Sequence, residues 1–257
     1  MNKNKLSQLG LFQGEENSIE SLNISSLGIF QRCPLEYKYR FMPRDVNFDP
    51  QGNEILLGRI LHSIISDYLS KRVNERNSDK CIQGIKEKLE GYFNSLKQED
   101  CSVALTALNK LINGPLSKII IRTTEYSFKK RFDGFVLKGR VDCIARDKRG
   151  DIIVDFKIGP LELDHHLDKR SRYLQLIFYY IAIKDLFSLQ RPIIAYYFIK
   201  DGTFEIIEAS DEMIREGWNE IVSLHKKRNE MVEYPPRRSY FCSSCTVKNK
   251  KLCPSWL

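Results

Sequence analysis

The feature that most constrains this chain is a block of three strand-like runs in immediate succession. They read IIIRTTEYSFKKRF (119–132), GFVLKGRVDCIARD (134–147) and DIIVDFKIG (151–159), with turn chemistry at Phe132-Asp133-Gly134 and Lys148-Arg149-Gly150. Strands joined by such short turns pair antiparallel in one sheet. For the second hairpin, a two-residue turn at Lys148-Arg149 and a four-residue loop give the same register, with paired numbers summing to 297. Asp142 then lies directly across from Asp155. Side chains so opposed have Cβ atoms about 4.5–5.5 Å apart, and two like charges at that distance destabilise the pair. Positive charge is therefore expected between them.

Asp155 and Lys157 are two residues apart and share a face, whereas Val154, Phe156 and Ile158 take the other and read as core. One pleated face thus offers two carboxylates and an ammonium, all pointing away from the apolar side. Hard divalent cations such as Mg²⁺ or Mn²⁺ bind carboxylate and carbonyl oxygen, keep positions open for substrate phosphate and lower the pKa of a bound water. The tripeptide Asp155-Phe156-Lys157 alone equally suits a surface hairpin with screened charges and a salt bridge.

Helical signals flank the strand block. ILLGRILHSIISDYL (55–69) places Leu57, Leu61, Ile64 and Tyr68 at helical spacing, with Gly58 and His62 on one face. Residues 77–118 carry more helix patterning, broken at Gly114-Pro115, and read as a helical insertion ahead of the sheet. Ser25 to Phe41 suggests a capped helix, a break near Pro34 and a second short helix whose Tyr37, Tyr39 and Phe41 read as core. After the strands come a long helix over about Lys169 to Phe187, two more strands around Asp201-Gly202, and a helix over 211–231. The expected fold is α/β: a mixed central sheet flanked by helices, with a helical insertion and a cysteine-bearing C-terminal tail. The expected domains are a polar leader over 1–21 and a single unit over 22–257.

With 42% hydrophobic residues in 257, the chain can fill such a core. Lys plus Arg number 41 against 33 Asp plus Glu, and the net +8 favours a polyanionic partner. No run of about 18 apolar residues occurs, so no membrane partner is expected. An odd count of seven cysteines argues against a paired disulfide framework and fits a reducing cytoplasm.

Taken together, Gly58-x-x-x-His62, Gly139-Arg140-Val141-Asp142, Asp155-Phe156-Lys157 and Gln175-x-x-x-Tyr179 resemble the RecB-like branch of the PD-(D/E)xK nucleases. The resemblance spans about Asn23 to Cys253 and implies a restriction-endonuclease-like core. It implies His62, Asp142, Asp155 and the Phe156 carbonyl as metal ligands, and Lys157 as the catalytic lysine. Gln175 and Tyr179 would line the site or contact DNA. Ile158 stands where a threonine often follows the lysine, which leaves the ligands intact.

The tail supports the same resemblance. Cys242-x-x-Cys245-x7-Cys253, with Cys33 in Gln31-Arg32-Cys33-Pro34, resembles the four-cysteine iron–sulfur clasp of RecB-like nucleases, among them CRISPR-associated adaptation nucleases and the nuclease domains of helicase-nucleases. Four thiolates hold either zinc or a 4Fe–4S cluster, and spacing does not decide between them; the resemblance implies iron–sulfur, joining the two ends of the unit. Cys143 reads as core, whereas Cys81 and Cys101 have no motif. His165 and His166 read as a solvated loop, and His225-Lys226-Lys227-Arg228 as an exposed basic helix face. The implied function is a metal-dependent deoxyribonuclease, an exonuclease on single-stranded DNA or its ends, in CRISPR adaptation or DNA repair. No G-x-x-x-x-G-K-[ST] loop is present, so any unwinding is expected to come from a partner, and the resemblance implies a helicase or CRISPR integrase proteins as partners. The competing readings are a catalytically silent iron–sulfur subunit that binds nucleic acid, and a cluster-bearing interaction protein.

Overall fold

The computed structural model describes residues 21–42, 53–132, 135–158, 171–243, 245, 247 and 252–254. The expected leader up to residue 20, the turn at 133–134, and His165 and His166 lie outside these residues.

The elements run β1 (Ser21–Asn23), α1 (Ile24–Arg32), α2 (Pro34–Phe41), α3 (Asn53–Leu69), α4 (Val73–Arg76), α5 (Asp79–Glu90), α6 (Gln98–Asn113), β2 (Ile120–Phe132), β3 (Phe135–Asp147), β4 (Gly150–Lys157), α7 (Leu174–Phe187), β5 (Ile193–Phe198), β6 (Thr203–Glu208) and α8 (Asp211–Glu230). All six strands belong to one mixed sheet. Its spine is β3, whose one edge is paired with β2 over nearly its whole length. The other edge is shared. β1 runs parallel to residues 136–138 and β4 antiparallel to residues 143–147. β5 continues the sheet parallel to β4, and β6 closes it antiparallel to β5.

Cys143 pairs with Val154 and Asp147 with Gly150, so the β3–β4 register is the one in which paired numbers sum to 297. The ladder stops at Cys143, and β4 goes on with β5 alone through Lys157. β3 and β4 therefore fork at Asp142 and Asp155. The opening faces the stretch of β3 between its β1-paired and β4-paired segments.

Helices cover both faces of the sheet. On one, α1, α7 and α8 supply Leu27, Phe30, Ile177, Phe178 and Ile221 against Ile144 and Ile153. On the other, α3, α5 and α6 supply Leu61, Ile64, Tyr68, Leu89 and Leu108 against Cys143, Val154 and Tyr197. The helical insertion, through α5 and α6, thus completes the core that α3 begins on this face. α7 buries eight residues around its circumference, as expected of a helix apolar on all sides.

Four details depart from the sequence expectations. The cap of α1 is Asn23, whose side chain accepts the N–H groups of Ser25 and Ser26. Strand β1 has no counterpart among the expected elements; three residues are too few to show a period. Phe41 is 48% exposed, whereas Tyr37 packs between Phe41 and Tyr234. The basic run on α8 is not a uniformly exposed face. His225 and Arg228 are buried, with His225 edge-on to Phe135 and Arg228 Nη2 2.8 Å from its Nδ1, while Lys226 and Lys227 face solvent. At i and i+3 the two buried residues share the inner stripe of the helix.

Candidate active site

The fork between β3 and β4 is held open by one side chain. Oδ2 of Asp142 accepts the backbone N–H of Phe156 at 2.8 Å, where continued pairing would supply a carbonyl of β3. The Lys157 carbonyl accepts from Ile199 at 2.7 Å on the β5 side. Neighbouring residues of a strand direct their backbone groups to opposite sides, so the Phe156 carbonyl faces the fork.

Over the fork lies α3. Nδ1 of His62 stands 3.6 Å from Asp142 Oδ2, and its ring meets Phe156 edge-on at 5.7 Å. This close seating depends on Gly58, one turn earlier: a Cβ there would come within 2.8 Å of Ile158 Cδ1. Gly139 acts similarly beneath the site, where a Cβ would meet Phe128 Cζ at 2.7 Å. The cleft between α3 and the sheet has a volume of about 640 Å³, and Arg59, His62, Ser63, Ser66, Glu125 and Arg140 are among its lining residues.

From the opposite helical layer, α7 reaches the second carboxylate. Gln175 Nε2 donates to Asp155 Oδ1 at 2.7 Å and to the Tyr179 hydroxyl at 2.9 Å. Gln175 Oε1 accepts from Lys157 Nζ at 2.8 Å, and that ammonium lies 2.7 Å from Asp155 Oδ2. The Tyr196 ring lies 5.2 Å from the same Nζ. Lys157 is thereby fixed between an acid, an amide and an aromatic face. Asp155 is 2% exposed and faces α7, on the side of the sheet that carries Ile153, contrary to the expectation of a side chain clear of the core.

Glu125, not singled out from the sequence, completes the group. It lies opposite Asp142 on β2, just beyond a register shift at Ile121/Thr123, and its φ of 53° is in the left-handed region. A non-glycine residue there is strained, a cost of order 1–3 kcal/mol that tends to occur at functional sites. Glu125 Oε2 pairs with Arg140 Nε at 2.8 Å, while Oε1 is buried with no hydrogen-bond partner among the described residues.

Burial dominates the electrostatics of the site. Burial pushes the Asp155 carboxyl up to about 6, with Asp142 adding and Lys157 opposing. Burial likewise raises Glu125, against the pull of Arg140. For His62, burial works downward, yet the hydrogen bond and charge of Asp142, with Asp155 and Glu125, leave the imidazole raised. Burial and the Asp155 charge raise the Tyr179 hydroxyl well above its ordinary value.

Ligand atoms of His62, Glu125 and Asp142 lie within 4.8 Å of one another, the one such trio among the described residues. A set of one imidazole and two carboxylates, one oxygen of which is buried and unpaired among the described residues, fits a hard divalent cation. Asp155 stands at its margin, engaged by Lys157 and Gln175.

The cysteines are elsewhere. The Arg237 N–H donates to Cys33 Sγ at 3.4 Å, and the Cys242 thiol donates to the Arg237 carbonyl at 3.9 Å. The tail is also tied back by Leu35 N–H to the Pro235 carbonyl at 3.3 Å. Cys245 and Cys253 are half-buried, and Cys143 is wholly buried in the core.

This fold and cleft define a nuclease-type α/β unit, and the family comparison agrees. The sequence model of the PD-(D/E)XK nuclease superfamily matches residues 21–254, and the chain belongs to that superfamily. Among solved structures it is similar to a protein from Eubacterium rectale described as a “Putative exonuclease”, with a TM-score of 0.54 and 14% identity over 91% of this chain and 90% of that one. A second similar structure is SSO0001, with a TM-score of 0.38 and 19% identity over 82% of this chain and 100% of that one. Curated protein sequences gave no match. Among the described residues no helix is long and apolar enough to cross a membrane.

Proposed function

We propose that the protein is a divalent-metal-dependent deoxyribonuclease that acts on single-stranded DNA or DNA ends. The observation that carries this reading is the convergence of His62, Asp142, Asp155, Lys157 and Gln175 on the β3–β4 fork, from the two arms of that hairpin and from α3 and α7.

His62, Glu125 and Asp142, with Asp155 and the Phe156 carbonyl, would hold Mg²⁺ or Mn²⁺. When bound, the ion lowers the pKa of a water and offsets charge on the scissile phosphate. Lys157 positions the attacking water and then faces the charge that grows on the phosphate oxygens as the new P–O bond forms and the ester P–O bond breaks. Gln175 fixes that ammonium, and its bond to Tyr179 fixes the amide in turn. Arg59 and Arg140, exposed at the cleft rim, would contact phosphates on either side. A complete set of these groups disfavours a catalytically silent subunit.

We further propose that Cys33, Cys242, Cys245 and Cys253 hold a 4Fe–4S cluster, with zinc as the alternative. The support is Arg237, whose backbone bridges Cys33 and Cys242 although more than two hundred residues separate them. The cluster would clasp the two ends of the fold and play no part in hydrolysis. The single strand such an enzyme needs is handled by a helicase in DNA repair or by integrase proteins in CRISPR adaptation, and these are the proposed settings.

The test is degradation of an end-labelled single-stranded oligonucleotide with Mg²⁺ or Mn²⁺, alongside its RNA counterpart. DNA should be degraded and EDTA should stop the reaction. Cleavage that persists in EDTA would remove the mechanism, and cleavage of RNA alone would reassign the substrate.

A further inference from the structure

A second concavity lies beyond the C-terminal end of α3, about 430 Å³ in volume, with Ser70, Lys71, Arg72, Arg76, Arg122 and Thr124 among its lining residues. Among the described residues, no acidic side chain lines it. Arg122 is neutralised by Asp151 at 2.5 Å, but the other three cations are not. Arg76 is 1% exposed, and among the described residues its guanidinium donates only to carbonyls, those of Lys71 (2.9 Å), Leu116 (3.3 Å), Ser117 (3.2 Å) and Ile119 (3.1 Å). Its hydrogen bonds are satisfied and its charge is not. Lys71 and Arg72 are exposed and have no ion pair among the described residues. The nearby Glu75 directs a carboxylate oxygen to the Arg72 backbone N–H at 3.3 Å.

A buried cation without a counter-charge is costly, and an anion beside it offsets the cost. The placement says which anion. The same two elements wall both concavities: α3 presents His62, Ser63 and Ser66 to the cleft and Leu69, followed just past its end by Ser70, to the second pocket, while β2 presents Glu125 to the first and Thr123 and Thr124 to the second. From His62 to Ser70 is about 12 Å along the helix at about 1.5 Å per residue. That is within about four nucleotides, at about 3.4 Å per stacked phosphate on one strand.

We propose that this pocket binds a backbone phosphate of the nucleic-acid strand a few nucleotides from the cleavage position. It rests on the nuclease reading above and adds a subsite that makes a longer strand a better substrate than a short one. Lys71 and Arg72 grip the phosphate, and Arg76 supplies charge from below.

The test pairs Lys71→Glu/Arg72→Glu with a control of equal charge change far along the chain, Lys226→Glu/Lys227→Glu on α8. Both alter exposed side chains, so folding is not at issue. Binding of a fluorescent single-stranded dodecanucleotide is followed by anisotropy in EDTA across a salt series, and turnover is followed separately with Mn²⁺. The pocket variant should bind at least about tenfold more weakly, with the log–log salt slope shallower by about 0.7 for each phosphate the variant no longer neutralises. Its KM for the dodecanucleotide should rise with kcat unchanged, and its KM for a dinucleotide should not move. Binding equal to wild type, or an equal loss in the α8 control, overturns the subsite. A wild-type protein that binds through Lys71 and Arg72 yet cleaves nothing overturns the nuclease reading and leaves the subsite. A wild-type protein that does not bind the strand overturns both.

Discussion

Asp142 Oδ2 accepts the Phe156 backbone N–H at 2.8 Å, and this bond places a carboxylate where the β3–β4 ladder would otherwise continue. One side chain therefore both ends the pairing and lines the cleft that the ending opens. Asp142→Asn keeps an oxygen able to accept that N–H but removes the charge, whereas Asp142→Ala leaves the buried donor unsatisfied. The Ala variant should lose about 1–3 kcal/mol of stability and the Asn variant much less, while both lose Mn²⁺ affinity. Urea unfolding and titration calorimetry separate the two effects. Equal stability of the two variants would show that the hydrogen bond does not hold the fork.

Asp155 should make stability fall as pH rises in the absence of metal. Its carboxyl is pushed up to about 6 by burial, above an unfolded value of about 3.9. The folded state then holds the proton more tightly, so stability declines from about pH 4 to about pH 6 and the full penalty stands above that window. In EDTA, Asp155→Asn should melt higher than wild type at about pH 8, and the gap should close by about pH 3.5. Thermal melts at several pH values check this; a wild type more stable than the variant at about pH 8 contradicts it.

Glu125 should matter to metal binding although it lies outside the motifs. Glu125→Gln removes the charge of the unpaired Oε1 and should weaken Mn²⁺ binding by about 10- to 100-fold, the range for loss of a supporting group at a metal site. Calorimetry with the folded variant tests it. Unchanged affinity would leave Glu125 as a partner of Arg140 only.

The difference between Asp142 and Glu125 shows how much of this site is legible in the sequence. Asp142 and Asp155 follow from one hairpin because Lys148-Arg149 fixes its register. Counting across the turn at Asp133-Gly134 in the same way places Glu125 opposite Asp142, but the shift at Ile121/Thr123 and the left-handed backbone at Glu125 carry no sequence pattern. The strand runs and α3 are legible because their periodicity is strong. The burial of Asp155 is not, because it depends on α7 crossing that face of the sheet. His225 and Arg228 escape the sequence for a related reason: lysines between them mask an inward stripe that only packing reveals. The three residues of β1 acquire their strand character from β3 alone.

The cysteine clasp should act through folding. Protein purified without oxygen should be brown and carry about four irons per chain. Cys33→Ser should lower cluster occupancy and melting temperature together, with activity falling in step with the folded fraction. Elemental analysis and thermal melts read both quantities. Zinc in place of iron would change the cofactor and keep the clasp; full iron and full stability in Cys33→Ser would remove Cys33 from the ligand set.

The most direct test of the β3–β4 fork as a hydrolytic centre is single-turnover cleavage of single-stranded DNA by Lys157→Ala with saturating Mn²⁺. Lys157 is half-buried and is the counter-charge of the buried Asp155, so its loss costs stability, and the rate is read per folded, Mn²⁺-loaded molecule, with the folded fraction set by circular dichroism. The rate should fall by about 10²- to 10⁴-fold, as for loss of a positioned proton-handling group, with Mn²⁺ affinity retained. Cleavage at the wild-type rate would contradict the assignment of the fork as the active site.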